Sequence, residues 1–306
     1  MRDQRAASGA RPLYEMSLDE ARAEDLRAIR EGGGTPEPVA SVVDDHIPGP
    51  GGPLPIRIYR PGVDGTLPVL AYFFGGGWTL GTIDTSDGVC RALTNAAGCV
   101  TVAVGYRLAP EHKFPAAVDD CYAGTAWIAE HATELGVDAR RLAVGGDSAG
   151  GNLAAAVTLQ AKAAGGPAIR HQLLVYPNTD YASDTPSLRE NTDEALFNAK
   201  SVDWYWRHYL RDPADGTHPY ASPLRAADLT GLPAATLITA EYDPLRDQAE
   251  AYGDRLRAAG VPVEVSRYAG MAHGFFTMSG VLPAAGHALR YAADRLRSAF
   301  QEAFVA

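Results

Sequence analysis

The chain has 306 residues, of which 46% are hydrophobic, and this is enough apolar surface for one large core in a single domain. The formal net charge of −10 and the pI near 5.3 argue against a polyanionic partner, because proteins that bind nucleic acids or anionic membranes concentrate Lys and Arg in patches. We therefore expect no nucleic-acid partner and no membrane partner.

The cysteines and the N-terminal segment indicate whether the protein binds a metal and where it is located. Cys90, Cys99 and Cys121 lack the paired short spacing of a zinc site, so we expect buried free thiols and no metal. Residues 1–14 contain arginines but no apolar stretch typical of a secretory signal, and no segment has the about 20 apolar residues that span a bilayer. These features predict a cytoplasmic protein.

In chain order, the first predicted element is a charged helix from Ser17 to Arg30. The eight predicted strands that follow it are residues 39–47, 54–59, 67–74, 99–106, 141–145, 171–176, 235–241 and 263–268. From the third strand onward they alternate with four predicted helices, at residues 86–97, 115–135, 152–164 and 245–259. Such alternation is typical of right-handed crossovers, so the predicted fold is an open α/β fold with a mainly parallel sheet.

The segment 180–219 does not fit that alternation. Its predicted short helix has more aromatic and apolar surface than a simple connection requires, from Phe197, Val202, Trp204, Tyr205, Trp206, Tyr209 and Leu210. These side chains either cover the core or line a substrate pocket. Together with residues 1–38, the segment is predicted to form a cap on a single domain spanning residues 1–306.

A serine lies within the Gly-Asp-Ser-Ala-Gly motif of residues 146–150, between a predicted strand and a predicted helix. On so tight a turn the oxygen of Ser148 projects above the sheet edge, and the N–H group of Ala149 points to the volume where a carbonyl oxygen would lie. The motif alone also occurs by chance in structural turns. The strand before it and the helix after it favour Ser148 as a nucleophile.

A serine hydroxyl is a poor nucleophile near neutral pH, so it needs a histidine that accepts its proton and a carboxylate that orients that histidine. In folds with such a turn both groups follow the serine, each after a later strand. Asp243 follows the strand 235–241, and His273 follows the strand 263–268. Glu241 and Asp247 are alternative carboxylates beside Asp243, whereas the other histidines lie before the serine, in a strand, in the 180–219 segment or in the last helix.

Three glycines, residues 75–77, follow the third strand. Because glycine has no Cβ atom, their N–H groups can approach a ligand closely, and Gly75 and Gly76 are predicted to form an oxyanion hole with Ala149. The alternatives are a flexible turn or a nucleotide-binding loop, but neither glycine-rich nucleotide motif is present. The residues predicted to line the substrate pocket are Trp78, Tyr176, Phe197 and Trp204.

Four motifs in order resemble those of the hormone-sensitive-lipase-like family of α/β hydrolases, from about residue 40 to the C-terminus. They are the Gly-Gly-Gly-Trp loop at 75–78, the Tyr-Arg-Leu-Ala-Pro-Glu run at 106–111 with Phe-Pro-Ala-Ala at 114–117, the serine motif continued to residue 152, and Asp-Pro-Leu-Arg-Asp at 243–247. The resemblance implies a two-part cap, no cofactor and often a homodimer. It also implies a serine carboxylesterase whose partner is a small ester with a short- to medium-chain acyl group.

Phe74 departs from this family, whose glycine loop normally begins with histidine. That histidine is thought to hydrogen-bond within the loop and to hold its shape, so a phenylalanine has to do so by packing. The departure leaves an alternative open, a dehydratase, a cyclase or a ligand-binding receptor that acts on a specialised metabolite without hydrolysis. The complete, correctly ordered serine, aspartate and histidine argue against that alternative.

Overall fold

The computed structural model describes residues 11–301. The strands in that range are β1 (Ser41–Gly49), β2 (Gly52–Arg60), β3 (Leu67–Phe73), β4 (Val100–Val104), β5 (Val137–Asp147), β6 (His171–Val175), β7 (Ala234–Tyr242) and β8 (Val263–Ala272). The α-helices are α1 (Leu18–Gly33), α2 (Asp87–Ala97), α3 (Ala116–Glu130), α4 (Ala149–Ala164), α5 (Pro186–Glu190), α6 (Ala199–Tyr209), α7 (Arg246–Ala258) and α8 (Pro283–Gln301).

All eight strands form one sheet in the order β1-β2-β4-β3-β5-β6-β7-β8. β2 is antiparallel to both of its neighbours, β1 and β4, and every other pair is parallel. The predicted mainly parallel eight-stranded fold is confirmed. The carboxyl ends of the parallel strands meet at one edge of the sheet, where α/β folds place their ligands.

The central strands are buried on both faces because helices cover both sides of the sheet. Every residue of β3, β4 and β6 is buried, as expected for the continuous apolar runs of a parallel sheet. One apolar cluster joins the sheet to α3, α4, α6 and α7. A second cluster joins the opposite face to α2 and α8.

Several element boundaries differ from the sequence prediction, and three of these differences bear on the candidate site. β5 continues to Asp147 and α4 begins at Ala149, so Ser148 alone separates strand from helix. β8 continues past Tyr268 to Ala272, because Ala272 still pairs with Tyr242 on β7. His273 therefore lies in the turn directly after the last strand and not several residues beyond its end.

The N-terminal helix and the 180–219 segment meet over the sheet edge. α1 begins with a capping box in which Ser17 and Glu20 bond each other's backbone N–H groups. A third apolar cluster contains the buried Ala21, Leu80 and Tyr205, with Phe197 and Trp204 packed against it. Residues 1–10 of the predicted cap lie outside the described residues, and the division into a cap and a catalytic domain stays a prediction.

Two chemical features of the described residues bear on function. No helix between residues 11 and 301 has the length and apolar character required to cross a bilayer. Within the same range, no group of three or more His, Cys, Asp and Glu side chains is arranged to hold a metal ion. Cys90, Cys99 and Cys121 are buried and free, as predicted.

Candidate active site

Ser148 has a backbone conformation that side-chain-bearing residues rarely adopt, with φ 56° and ψ −118°. The turn is tight enough that a Cβ atom at Gly150 would collide with the carbonyl group of Phe73 on β3. The amide of Ser148 donates a hydrogen bond of 2.8 Å to the carbonyl oxygen of Val175. This bond fixes the strained residue between β5 and α4, with its side chain at the carboxyl edge of the sheet.

Three side chains that are distant in sequence meet at this edge. His273 Nε2 lies 2.9 Å from Ser148 Oγ, and His273 Nδ1 lies 2.8 Å from Asp243 Oδ2. The structure thus brings the three predicted residues into one hydrogen-bonded chain. In this arrangement the carboxylate fixes which imidazole nitrogen carries the proton, and the other nitrogen faces the hydroxyl.

Asp243 is fully buried directly after β7, and its second oxygen accepts a 2.8 Å hydrogen bond from the amide of Leu245. The alternative carboxylates have other partners. Glu241 accepts from the amide of Gly270 at 2.7 Å, and Asp247 accepts from the amide of Ser187 at 2.7 Å. Asp243 is therefore the carboxylate that the local backbone aims at His273.

His273 is packed between two aromatic rings. The ring of Phe197 stacks on the imidazole with a centroid distance of 4.1 Å and an interplanar angle of 21°, and the Tyr176 ring lies 4.6 Å away at 51°. The His273 side chain is 8% exposed, so the imidazole is shielded from most of the solvent. Stacking of this kind restricts ring rotation and keeps the edge of the imidazole directed at Ser148.

The glycine loop after β3 is attached to the serine turn through a buried carboxylate. Asp147 Oδ1 accepts hydrogen bonds from the Tyr72 hydroxyl at 2.9 Å and from the Gly75 amide at 3.2 Å. Burial raises the pKa of Asp147. Sequence reasoning missed this role of Asp147, although its position inside the serine motif was a usable signal.

The backbone N–H groups near Ser148 differ in whether they are free to donate a hydrogen bond to a ligand. The predicted donor Gly75 already donates to Asp147, at a distance long for such a bond. Within residues 11–301 the amides of Gly76, Gly77 and Ala149 make no hydrogen bond. An N–H group left unpaired at a helix start or in a glycine turn is available to a negatively charged oxygen.

The side chain of Phe74 is held by packing, because a phenylalanine ring has no group that forms hydrogen bonds. Its ring stacks on Tyr106 with centroids 4.2 Å apart and an interplanar angle of 17°. The Tyr106 hydroxyl donates a 2.8 Å hydrogen bond to the carbonyl oxygen of Phe74. The same tyrosine therefore holds both the side chain and the backbone at the start of the glycine loop, a role that sequence reasoning did not assign.

The four predicted pocket residues separate into two groups. Tyr176 and Phe197 contact His273, as described above. Trp78 is instead fully buried, because a φ of 58° turns its ring into the core, where it stacks on Tyr209 with centroids 4.2 Å apart. Trp204 packs edge-on against Tyr205 in the cluster beside α1, and its ring contacts within residues 11–301 are with Tyr205 and His208 and not with His273.

Comparison with known proteins identifies the relatives of this chain. A family model described as the alpha/beta hydrolase fold matches residues 70–277, which include the serine, the aspartate and the histidine. Esterase LipI of Mycobacterium tuberculosis is 45% identical over 256 residues, which are 82% of this chain and 80% of the relative. An ethyl acetate hydrolase of Pseudomonas putida is 36% identical over 304 residues, which cover 96% of this chain and 94% of the relative.

Solved structures of esterases also match this chain. The solved structure of a hyperthermophilic esterase from the archaeon Pyrobaculum calidifontis superposes with a TM-score of 0.93 at 40% identity, covering 97% of this chain and 96% of that chain. The identity, the coverage and the shared fold together establish the relationship. The chain belongs to the hormone-sensitive-lipase-like family of α/β-hydrolase esterases.

Proposed function

We propose that this esterase hydrolyses carboxylic esters through an acyl-enzyme on Ser148, with His273 as the base and Asp243 as the residue that orients it. The observation that carries the proposal is the continuous hydrogen-bonded chain, 2.9 Å from serine to histidine and 2.8 Å from histidine to aspartate. Both distances lie in the range required for proton transfer between a nucleophile, its base and the orienting group.

In the first step Ser148 Oγ attacks the ester carbonyl carbon while its proton passes to His273 Nε2. The buried carboxylate of Asp243 stabilises the resulting imidazolium. When the tetrahedral intermediate collapses, the bond to the alcohol oxygen breaks and His273 returns the proton to that oxygen. A water molecule then attacks the acyl carbon while His273 takes its proton. The bond from that carbon to Ser148 Oγ breaks, the acid is released, and His273 returns the proton to Oγ.

The negative charge that develops on the carbonyl oxygen requires hydrogen-bond donors. We assign this role to the amides of Gly76 and Ala149, which make no hydrogen bond within the described residues. The predicted third donor, Gly75, can contribute if its N–H group is shared between Asp147 and the oxyanion, because that bond is long at 3.2 Å. Each such donor accelerates ester cleavage by about a hundredfold to a thousandfold.

The proposed substrates are esters with short- to medium-chain acyl groups. The near closure of the site supports this, since Ser148 is 8% exposed and Phe197 from the 180–219 segment stacks on His273 beside it. A relative that covers almost the whole chain is named an ethyl acetate hydrolase, which also supports a small ester. The ester-hydrolase names of the relatives do not favour the alternative of a dehydratase, a cyclase or a receptor.

Two further expectations stay predictions. One is the cytoplasmic location, and the other is a homodimer. Among residues 11–301, β8 lies at one end of the sheet and pairs with β7 alone, so its outer edge is a surface on which two copies can associate. Light scattering coupled to size exclusion measures the oligomeric state directly.

The test of the proposed function is a p-nitrophenyl ester series from acetate to decanoate, assayed with the wild type and with Ser148→Ala. We expect turnover that is highest for the shorter acyl chains and is lost in the variant. Turnover that persists unchanged in Ser148→Ala contradicts the proposed role of the serine.

A further inference from the structure

Two rings from the 180–219 segment cover the reacting groups on one side, and we call Phe197 and Tyr205 the aromatic wall. Phe197 stacks on His273 at 4.1 Å, and the ring centroids of Phe197 and Tyr205 lie 6.2 Å apart. Tyr205 in turn packs directly on Gly77, where a Cβ atom would collide with its ring. The aromatic wall therefore extends from the imidazole to the glycine loop.

The backbone around the aromatic wall is fixed. Asn198, which follows Phe197, caps α6 by accepting hydrogen bonds from the amides of Lys200 and Ser201 at 3.0 and 3.1 Å. Its side-chain amide also donates to the carbonyl oxygen of Asp193 at 3.1 Å. Tyr205 is backed by the apolar cluster that α1 contributes to, so the two rings form a preorganised surface.

The chemistry of ester cleavage determines which part of the substrate meets Phe197. The acyl carbon bonds to Ser148 Oγ, whereas the alcohol oxygen takes its proton from His273 Nε2. Because that nitrogen is 2.9 Å from Ser148 Oγ, the alcohol group begins beside the imidazole whose face Phe197 covers. The His273 side chain is 8% exposed, so the alcohol has to fit beside the small part of the imidazole that the Phe197 and Tyr176 rings leave open.

We propose that Phe197 is a specificity-determining residue for the alcohol part of the ester. The restricted space beside its ring accepts small primary alcohols and flat aryl alcohols, and it excludes thicker cyclic or branched ones. This inference rests on the proposed roles of Ser148 and His273. It concerns the alcohol and not the acyl group, and this distinction makes it testable.

The experiment compares the wild type with Phe197→Ala and Phe197→Leu on ethyl, phenyl and cyclohexyl acetate, followed by titration of the released acid. Phenyl and cyclohexyl rings have the same number of carbon atoms but differ in thickness. We expect the cyclohexyl-to-phenyl ratio of kcat/KM to rise about tenfold in Phe197→Ala, the discrimination typical of one misfitting group in an apolar pocket, and to rise less in Phe197→Leu. The hexanoate-to-acetate ratio for p-nitrophenyl esters should change less than about twofold.

Trp127→Leu is the matched control, because Trp127 stacks on His131 at 4.4 Å and 17° on α3, outside the candidate site. It should leave both ratios unchanged. An unchanged cyclohexyl-to-phenyl ratio in both Phe197 variants, or an equal change in acyl preference, overturns the inference. If Phe197→Ala does not fold, Phe197→Leu decides the result alone.

Ser148→Ala, assayed on the same acetates, separates the two proposals. If Ser148→Ala is inactive and the cyclohexyl-to-phenyl ratio is unchanged in the Phe197 variants, the inference is overturned but the proposed function stands. An active Ser148→Ala overturns the proposed function, and the inference with it.

Discussion

The strained backbone conformation at Ser148 directs its amide and its hydroxyl to different partners. The amide stays bonded to Val175, whereas the positive φ of 56° directs Oγ to His273. Strain of this kind is stored at functional sites and is held by the surrounding structure. Here Asp147, one residue earlier, also bonds the glycine loop, so the nucleophile and the proposed oxyanion donors share one rigid support.

Asp243→Asn should lower kcat by about 10⁴-fold, because an amide favours the wrong imidazole tautomer while keeping the geometry. The measurement is steady-state turnover of p-nitrophenyl acetate. The matched control is Asp247→Asn, since Asp247 bonds the amide of Ser187 and not His273. Equal losses of kcat in the two variants would show that Asp243 does not orient His273.

Tyr106→Phe should lower kcat about tenfold with KM unchanged, because loss of the hydroxyl frees the carbonyl group of Phe74 and lets the glycine loop shift. The buried carbonyl left without its donor should also lower the free energy of unfolding by about 1–3 kcal/mol. The control is Tyr252→Phe, since the buried Tyr252 hydroxyl has no hydrogen-bond partner among the described residues. A matching loss of kcat in the control would contradict this account of the loop.

At the scale of elements, α1 is fastened to the rest of the protein through Arg22. Its guanidinium donates to both oxygens of Glu111 at 2.7 and 2.8 Å, and to the carbonyl oxygens of Thr79 and Ala109 at 3.0 and 3.2 Å. The hydrogen bond from Arg22 lowers the pKa of Glu111 to about 2. The stabilisation is therefore complete above about pH 4.5 and is lost as the pH falls toward 2.

Arg22→Met should loosen α1 without unfolding the domain. A half-exposed ion pair contributes up to about 1 kcal/mol, so we expect deuterium uptake in residues 18–33 to become about fivefold faster. The matched control is Arg27→Met, because Arg27 pairs with Glu24 and Glu31 on the same helix. Unchanged uptake in Arg22→Met would show that apolar packing alone holds the helix.

Much of the element order was predictable, because parallel strands read as apolar runs and the serine motif has a fixed place between a strand and a helix. The extension of β8 to Ala272 was not, since it depends on pairing with Tyr242 and not on local composition. The orientation of Trp78 and Trp204 was not predictable either. Trp78 follows the glycine loop and Trp204 lies in the 180–219 segment, but backbone conformation and helix face decide where each ring points.

At the scale of the whole molecule, burial of a titratable side chain in the core makes the free energy of unfolding depend on pH. His171 on β6 is 5% exposed, and its Nε2 lies 3.0 Å from the Thr236 hydroxyl on β7. Burial lowers the pKa of His171 to about 4 from the usual 6.5. The unfolded chain therefore binds more protons between pH 6.5 and 4, so the folded protein loses stability as the pH falls through that window.

His171→Gln should flatten this pH dependence, because glutamine can still bond Thr236 but does not titrate. Between pH 7 and 5 the wild type should lose about 2 kcal/mol more of its free energy of unfolding than the variant. Urea unfolding at the two pH values measures the difference, and His46→Gln, at an exposed position on β1, is the control. An identical pH dependence in the wild type and His171→Gln would rule out this source of acid sensitivity.

The most direct test of the central claim is to locate the covalent bond that the enzyme forms. Treatment with diethyl p-nitrophenyl phosphate should release one p-nitrophenolate per active chain and add one diethyl phosphoryl group. Peptide mapping by mass spectrometry should place that group on Ser148, and Ser148→Ala should gain no mass. A phosphoryl group on another residue, or full inactivation with Ser148 unmodified, would contradict the account.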